Sequence, residues 1–374
     1  MSHYDLAIIG CGGIGAACLE ESHKRALSTI AFDQYCPPHD HGSSHGQTRA
    51  IRKAYFERPD YVPLLARAYE LWARLNSVSN SRIWDLCGLI HVGAVNGRLI
   101  EGVRKSVQIY NLDVEEVSQK ELEARFPGFR CRKDDLVLYE REAGMLFVED
   151  IIRLQIARAQ ASSKIDLCFN TRVENWHLDS PIRIVTSKGT YTAERLIVTA
   201  GPWANEMLKT ESLSLSVLRK HLYWLKVRNH AYRRENGTPL FVFDNGSGCF
   251  YGFPVIDKWG LKVAEHTGGE AIAPDEEKSK LDSIDMARVL AFLRDRLPDV
   301  SPQLFHYVAC KYTMSPDEDF ILDIYSESPS VAYCAGLSGH GYKFAPVLAE
   351  ILLSLVCEGG TSHNIDFLRA ARFL

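Results

Sequence analysis

The chain has 374 residues, of which 46% are apolar and 24% charged, and it carries a formal net charge of −4. Its length suggests about two domains, and its scattered, weakly acidic charge argues against a nucleic-acid-binding protein, which usually shows a basic stripe. No stretch reaches the ~18 apolar residues of a membrane span, and the N-terminus lacks the basic segment and cleavage site of a signal peptide. We therefore expect a cytoplasmic monomer without a membrane or nucleic-acid partner.

The cysteines indicate a reducing compartment. There are ten of them, at positions 11, 18, 36, 87, 131, 168, 249, 310, 334 and 357. They form no CxxC pair and show no metal-ligand spacing, and several lie in apolar runs, where cysteine behaves as a small hydrophobic residue. We expect neither a disulfide framework nor a metal site.

The first predicted elements form a dinucleotide-binding βαβ unit. An apolar strand over Tyr4–Ile9 leads into the glycine-rich turn Gly10–Gly15, a helix follows over Gly12–Arg25, and the second strand, Leu27–Phe32, ends at an acid, Asp33. This layout is typical of a nucleotide site, although a glycine-rich turn in an ordinary α/β protein is the alternative. The motif does not distinguish NAD, NADP and FAD.

Each residue of this motif has a physical role. Gly10 allows the sharp turn, Gly12 lets the backbone approach a pyrophosphate, and Gly15 lets the helix pack on the strand. The helix N-terminus offers unpaired N–H groups to the phosphates. Asp33 stands about eighteen residues after the last glycine, near the ~20 expected for an acid that binds a ribose hydroxyl.

Hydrophobic spacing predicts the later elements. The predicted helices are Tyr61–Leu75, Val148–Ala161, Ile284–Leu297 and Phe344–Cys357, and a capping box is expected at Ser118–Glu121. The predicted strands are Leu86–Gly93, Arg195–Ala200, Phe305–Tyr312, Phe320–Asp323 and Val331–Gly336, with two strands around a turn over Phe241–His266.

A hairpin is the first indication of a flavin. Residues Ile165–Thr186 alternate as strands do, turn at Ser187–Thr190, and are followed by a buried strand that ends at Gly201. Such a hairpin recurs in FAD-dependent enzymes and is less usual in NAD dehydrogenases, although it is also compatible with an ordinary sheet. The nucleotide-binding domain is expected to use both ends of the chain, with a second domain inserted between them.

Two pairs of polar residues could take part in chemistry. Arg49 and Arg52 share a face if their turn is helical, and could clamp a carboxylate or face a flavin edge. The alternative is a solvated basic face paired with Glu57. Lys262 and His266 are four residues apart, so they share a face in a strand or a helix, or else they are exposed positions of an edge strand.

Two further residues are candidates with ordinary alternatives. Cys310 lies in an apolar strand, with Tyr312 on the same face, and an isolated cysteine there is more often core than reactive. Lys343 follows three glycines at the mouth of a helix, where N–H groups would suit an anion or a ring oxygen. The alternative is a C-terminal helix with a flexible entry.

Several stretches, in the same order along the chain, carry a specific resemblance. They are Pro37–Arg52 with Ala54, Tyr55 and Glu57, then Tyr251–Pro254, Leu261–His266, Ala309–Thr313, Asp317–Ile321 and Gly336–Phe344. Almost end to end, the chain resembles the family of monomeric sarcosine oxidase and N-methyl-tryptophan oxidase, flavoenzymes of the D-amino-acid-oxidase-like fold. The segment Ser315–Phe320 looks nearer to the N-methyl-tryptophan oxidase branch.

The resemblance implies roles for the chemical candidates. Cys310 matches the cysteine whose sulfur binds FAD covalently at the 8α-methyl group. Arg52 and Lys343 match residues that bind the substrate carboxylate, and Lys262 matches a lysine that promotes the reaction with oxygen at the flavin. The resemblance further implies the following set: Arg49 beside the flavin; Tyr251, His266 and Tyr312 in the substrate pocket; and His45, Thr48, Val173, Gly201, Gly339, Gly341 and Lys343 at the cofactor, with Gly10, Gly12, Gly15 and Asp33.

The implied fold has two domains. A Rossmann-like FAD-binding domain of the α/β class, similar to D-amino-acid oxidase and glutathione reductase, is expected over 1–80, 145–212 and 315–374. A substrate domain with a mostly antiparallel sheet is expected over 81–144 and 213–314.

The implied reaction is the oxidation of a secondary, N-methylated α-amino acid by O₂ through FAD, which yields the demethylated amino acid, formaldehyde and H₂O₂. Alternatives are a flavin dehydrogenase with another acceptor and a non-catalytic flavin-binding protein. Three departures from the family pattern stand out: Cys11 between the first glycines, Gln47 where an acid is common, and Arg58-Pro59 in place of a glycine-rich loop at the active-site entrance.

Overall fold

The computed structural model describes residues 3–208, 213–276 and 281–373. Its strands are β1 (His3–Ile9), β2 (Thr29–Phe32), β3 (Thr48–Ile51), β4 (Trp84–Asp85), β5 (Leu89–Ala94), β6 (Val114–Val117), β7 (Asp135–Glu140), β8 (Gly144–Phe147), β9 (Ile165–Cys168), β10 (Val173–His177), β11 (Ile182–Thr186), β12 (Gly189–Val198), β13 (Ser216–Val227), β14 (Leu240–Asp244), β15 (Cys249–Phe253), β16 (Leu261–Glu265), β17 (Glu270–Ala271), β18 (Val300–Met314), β19 (Ile321–Ile324) and β20 (Val331–Ala335). Its helices are α1 (Gly13–Lys24), α2 (Val62–Ser77), α3 (Arg98–Tyr110), α4 (Gln119–Arg125), α5 (Val148–Gln160), α6 (Ala204–Met207), α7 (Ser283–Arg296) and α8 (Ala345–Glu358).

The first sheet contains the predicted βαβ unit. Its strands follow the order β10-β11-β12-β1-β2-β9, and β20 joins β12 and β19. The pairs β1–β2, β1–β12 and β2–β9 are parallel. The four residues from Leu6 to Ile9 are all buried, as expected for a parallel strand covered on both faces. The carboxyl ends of β1 and β2 therefore meet at one edge, where a nucleotide binds in such sheets.

Helix α8 forms much of the core behind this sheet. It is apolar on nearly every face, and the residues from Ile351 to Val356 are all buried. A helix without a polar face must be covered on all sides, and here it packs against α1, α2 and the sheet. The loop that carries Lys343 is held at the mouth of this helix.

The second sheet is mostly antiparallel, as predicted. Its order is β17-β13-β16-β15-β14-β5-β7-β6, with β18 paired to β13, and the pair β14–β5 is parallel. The long pair β13–β18 runs from Ser216 opposite Met314 to Val227 opposite Val300. This ribbon carries Cys310 and Tyr312 to the boundary with the first sheet.

The strands of the first sheet fall within the segments expected for the FAD-binding domain, and those of the second sheet within the segments expected for the substrate domain. The domain boundaries themselves stay a prediction. The boundary expected at 212–213 adjoins residues 209–212, which lie outside the described residues.

One expectation about local structure and two of the readings left open are wrong. Arg49 lies in strand β3, not in a helical turn, because this segment pairs with β8. The stretch Phe241–His266 contains three strands, since a tight turn at 245–248 separates β14 from β15. Lys262 lies on β16, which is an interior strand between β13 and β15 and not an edge strand.

The capping box is confirmed: the Ser118 side chain accepts the Glu121 N–H, and the Glu121 carboxylate accepts the Ser118 N–H. Along the described ranges, no helix is long and apolar enough to cross a membrane.

Candidate active site

The glycine turn opens one end of a long cleft. Gly10 has φ of +90°, and a Cβ on Gly15 would lie 1.8 Å from the Gly10 carbonyl oxygen, so both positions require glycine for packing. A Cβ on Gly12 would meet only the Ser44 hydroxyl, at 3.8 Å, because Gly12 faces the cleft. The start of α1 is therefore open for the backbone approach that a pyrophosphate needs.

Asp33 lies at the end of β2 on the wall of this cleft. Its Oδ2 accepts the Cys11 N–H at 2.8 Å, and its Oδ1 accepts the Tyr35 N–H at 2.9 Å. These bonds fix the carboxylate. Its Oδ1 also lies 3.3 Å from His39 Nε2, whereas Oδ2 retains a lone pair that can accept a ribose hydroxyl.

The cleft is long enough for a dinucleotide. From the glycine turn it passes Val173 and Gly201 and ends at Arg49, Tyr312, Gly339, Gly341 and Tyr342. Together with the open Gly12 and the placed Asp33, this shape fits FAD.

A second cavity, of about 620 Å³, adjoins the far end of the cleft. Its lining includes Ala50, Arg52, Phe56, Glu57, Val242, Cys249, Tyr251, His266, His340 and Lys343. Arg49, Tyr312, Gly339 and Tyr342 line both spaces. A planar ring at the end of the cleft would therefore form one wall of the second cavity.

Arg52 is the fixed cation of this cavity. It is 4% exposed, and its Nη2 donates to both Glu57 oxygens at 2.6 and 2.7 Å. Burial alone would raise the pKa of Glu57, but the Arg52 charge lowers it to about 2. The pairing with Glu57 is as the alternative reading supposed, whereas the solvated basic face is wrong because Arg52 is buried.

Lys343 is a second buried cation, one whose charge depends on pH. Its Nζ donates to the His340 carbonyl oxygen at 2.6 Å. Burial, followed by the neighbouring Arg52 charge, lowers the pKa of Lys343 to about 7. A carboxylate entering this cavity would meet Arg52 and Lys343 together.

Tyr251, His266 and Tyr312 form a polar wall on the opposite side. The Tyr251 and Tyr312 hydroxyls are 3.4 Å apart, and the Tyr312 hydroxyl is 3.5 Å from His266 Nδ1. Burial lowers the pKa of His266 to about 3, so its imidazole is neutral at physiological pH. This wall offers aromatic surface and neutral hydrogen-bonding groups.

Lys262 is buried behind the junction of the two spaces, with 2% exposure. Its Nζ donates to the Gly46 carbonyl at 2.6 Å, the Thr48 carbonyl at 2.8 Å and the Thr48 hydroxyl at 3.1 Å. Burial, followed by the Arg49 charge, lowers the pKa of Lys262 well below its usual value. Lys262 thus lies on β16, whereas His266 directly follows this strand, and the two side chains contact different groups.

Cys310 lies beside the cleft, in contact with residues that line it. It is 1% exposed, and its Sγ is 3.4 Å from Arg49 Nη2 and 3.6 Å from the Ser43 carbonyl oxygen. Arg49 also donates to the Ser43 carbonyl, at 2.9 Å.

Five residues expected at the cofactor do not line the cleft: Gly15, His45, Thr48, Cys310 and Lys343. Gly15 packs α1 on β1, as described above. The His45 ring nitrogen Nε2 lies 3.1 Å from the Gly42 carbonyl oxygen, and Thr48 contacts Lys262.

Sequence reasoning missed two residues of the site. The Tyr342 ring packs against Gly13, where a Cβ would lie 2.6 Å from it, and lines both spaces. Glu149 accepts the Gly46 and Gln47 N–H groups and so fixes the loop that Lys262 binds. Neither residue has a local sequence signal, because each contacts a segment that is distant from it in the sequence.

The departures from the family pattern have defined contacts. The Gln47 side chain accepts the Trp224 indole N–H at 3.0 Å and donates to Asp257 at 2.5 Å. Arg58 donates to Asp319 at 2.9 Å and so connects the entrance loop to the C-terminal part of the chain. In the described ranges, no group of three or more His, Cys, Asp or Glu side chains could hold a metal ion.

The chain is similar in sequence to a known family and to known enzymes. The model of the FAD dependent oxidoreductase family matches residues 5–355. N-methyl-L-tryptophan oxidase from Salmonella arizonae is 35% identical over 375 residues, covering 99% of each chain. Monomeric sarcosine oxidase from Arthrobacter sp. is 31% identical over 375 residues, covering 99% of this chain and 96% of its own.

A solved structure shares the fold across the whole chain. The open form of NikD, an unusual amino acid oxidase essential for nikkomycin biosynthesis, has a TM-score of 0.85 and 21% identity, and the match covers 99% of this chain and 98% of that one. The two-domain, D-amino-acid-oxidase-like fold expected from the sequence is confirmed.

Proposed function

Because the chain belongs to the family of FAD-dependent oxidoreductases, we propose that it oxidises a secondary, N-methylated α-amino acid with O₂ as the electron acceptor. The products are the primary amino acid, formaldehyde and H₂O₂, with one water consumed. The observation that carries the proposal is the shared wall between the cleft and the cavity that contains Arg52 and Lys343.

The two cations select and orient the substrate. Arg52 and Lys343 are proposed to bind the carboxylate by charge-assisted hydrogen bonds. Without substrate, Arg52 Nη2 donates to both Glu57 oxygens and Nη1 to the Ala54 carbonyl. Fixing the carboxylate at one end directs the amine and its methyl group towards the shared wall. Such positioning converts binding energy into a favourable geometry for reaction.

The neutral wall leaves the amine in its reactive form. Tyr251, Tyr312 and the uncharged His266 present no anion to the amine, and the Glu57 carboxylate of the same cavity is paired with Arg52, so a neutral amine is proposed to react there. FAD, when bound at the far end of the cleft, supplies the two-electron acceptor.

Lys262 is proposed to assist the reaction with oxygen. Among the three acceptors around its Nζ, the Thr48 hydroxyl is the most distant, and a water or O₂ could replace it. A fixed positive charge stabilises negative charge that develops on oxygen. Cys310, in contact with Arg49, is proposed to hold FAD covalently through its sulfur.

The function is tested by incubating the purified holoprotein with N-methyl-L-tryptophan or sarcosine under air. We expect equal amounts of H₂O₂ and formaldehyde to form, with the first substrate preferred. Flavin reduction without peroxide under air would favour a dehydrogenase with another acceptor. No flavin reduction under anaerobic conditions, with these or other N-methyl amino acids, would overturn the proposal.

A further inference from the structure

A buried carboxylate, Glu140, lies behind the Arg52 side of the second cavity. It is the last residue of β7 and is 2% exposed. Its Oε1 accepts the Lys53 N–H at 2.5 Å and the Ala54 N–H at 3.3 Å, and its Oε2 accepts the Ala54 N–H at 3.3 Å. Charge-assisted bonds of this kind are stronger than neutral ones.

These hydrogen bonds fix a segment that belongs to no helix or strand. Residues 52–57 form neither helix nor strand, so no backbone ladder fixes the position of Arg52. The Arg52 guanidinium folds back on the same segment, with Nη1 donating to the Ala54 carbonyl at 3.0 Å. A displacement of Ala54 would therefore move the charged end of Arg52.

The strand register places His91 beside Glu140. Opposed residues in a sheet point to one face, and the register pairs Leu138 with His91, His91 with Val242, and Val242 with Tyr251. Val242 and Tyr251 line the second cavity, so His91 lies on its face of the sheet.

His91 forms no hydrogen bond with the Glu140 carboxylate, which can therefore bind peptide N–H groups. It is fully buried, its Nε2 is 3.6 Å from Glu140 Oε2, and within the described part of the chain neither ring nitrogen has a hydrogen-bond partner. Burial lowers the pKa of His91, so a neutral imidazole lies beside the carboxylate. The peptide N–H groups of Lys53 and Ala54 are then the direct partners of Glu140.

We propose that Glu140 is a positioning residue for substrate binding, which fixes the peptide after Arg52 so that the guanidinium faces the substrate carboxylate. The inference rests on the proposed role of Arg52 as the carboxylate-binding residue. Glu140 itself does not touch the substrate.

The test compares Glu140→Gln with the wild-type holoprotein. The amide keeps the shape of the side chain but loses the charge that binds two N–H groups. We expect the dissociation constant of acetate, titrated against the absorbance of the bound flavin, to rise about tenfold, whereas that of the uncharged acetamide stays unchanged. KM for the N-methyl amino acid should rise similarly, with kcat within about twofold.

Glu142→Gln is the matched control, because Glu142 contacts the same residue through the exposed Lys53 ammonium. We expect it to bind acetate as the wild type does. If Glu140→Gln does not fold, Glu140→Asp keeps the charge but shortens its reach, and should weaken acetate binding in the same direction.

The possible outcomes distinguish a failure of the inference about Glu140 from a failure of the proposed role of Arg52. If Glu140→Gln, or Glu140→Asp in its place, binds acetate within twofold of the wild type, this inference is overturned and the proposed function stands. If acetate binding and acetamide binding weaken equally, Glu140 has only a general structural role, and the inference is again overturned. If the wild type does not bind acetate at all, the carboxylate role of Arg52 fails, and the inference fails with it.

Discussion

At the scale of single residues, burial sets the chemistry of the site. Lys343, Lys262 and His266 all have lowered pKa values, chiefly because a charged form is costly away from water. Arg52 remains charged because the intrinsic pKa of a guanidinium is very high and because the Glu57 carboxylate forms an ion pair with it. The cavity thus combines one permanent cation with one that titrates near neutrality.

This difference predicts a pH dependence of ligand binding. The pKa of Lys343 is about 7, so the cation is present below pH 7 and lost above it. The dissociation constant of acetate should therefore rise by up to about tenfold per pH unit above 7. His266, His340 and Glu57, with pKa values of about 3, 4 and 2, do not titrate in this range.

The measurement is a series of acetate titrations between pH 6 and 9. In Lys343→Met we expect weaker binding at pH 6 and no further change up to pH 9. A wild-type affinity that is constant over this range would contradict the role of Lys343.

Lys262 predicts a separation of the two half-reactions. Replacing Lys262 with Met removes a buried amine that donates to three acceptors and should slow reoxidation of the reduced flavin by O₂ about 10²-fold or more, the size of effect seen when a stabilising donor is removed. Anaerobic reduction by substrate should change much less. Stopped-flow absorbance measures both rates, and Lys258→Met, an exposed lysine, is the control. Equal slowing of both steps would refute the assignment.

At the scale of elements, one turn and one helix determine the nucleotide end of the cleft. The spacing from Gly10 to Gly15 serves two different purposes, since Gly15 permits packing of α1 on β1 and Gly12 leaves space for a ligand. The long β13–β18 ribbon shapes the other end of the cleft, because it places Tyr312 in the lining of both the cleft and the second cavity.

Alanine at the two glycines should separate these purposes. Gly12→Ala meets no protein atom closer than 3.8 Å, so we expect the flavin-free protein to melt within about 2 °C of the wild type while FAD content falls to a tenth or less. Gly15→Ala places a Cβ 1.8 Å from a backbone oxygen and should lower the melting temperature by several degrees or prevent folding. A Gly12→Ala protein with full FAD content would exclude this account of the turn.

At the scale of the whole molecule, the site exists only where the two large sheets meet. The cleft begins at the first sheet, whereas Cys310, Tyr312, Lys262 and His266 belong to the second sheet or its loops. Arg49, on the small sheet of β3, β8 and β4, contacts Cys310 across this boundary.

The proposed attachment of FAD to Cys310 predicts a covalent flavin. After acid precipitation, the yellow colour should stay in the wild-type pellet and move to the supernatant for Cys310→Ala. Cys334→Ala is the matched control, because Cys334 also lies at the cleft but the structure records no contact of its sulfur with Arg49. Release of FAD from the wild-type protein would show that Cys310 is not the attachment point.

Much of the fold follows from local patterns. Two apolar runs, the glycine turn and Asp33 predicted the βαβ unit, and the capping box at Ser118 predicted the start of α4 to the residue. The strand β13 and the helix α3 were not predicted, because β13 is buried on both faces near its centre and mixes Arg, Lys and His with apolar residues, which obscures its period.

The sequence by itself determined the nucleotide-binding turn and, through its resemblance to a family, the fold and the identity of the candidate residues. Only the tertiary structure decided that Arg52 is buried against Glu57, that Lys262 lies on an interior strand, and that Glu140 holds the peptide after Arg52. The physical reason is that burial and charge pairing depend on residues far apart in the chain, which local spacing does not encode.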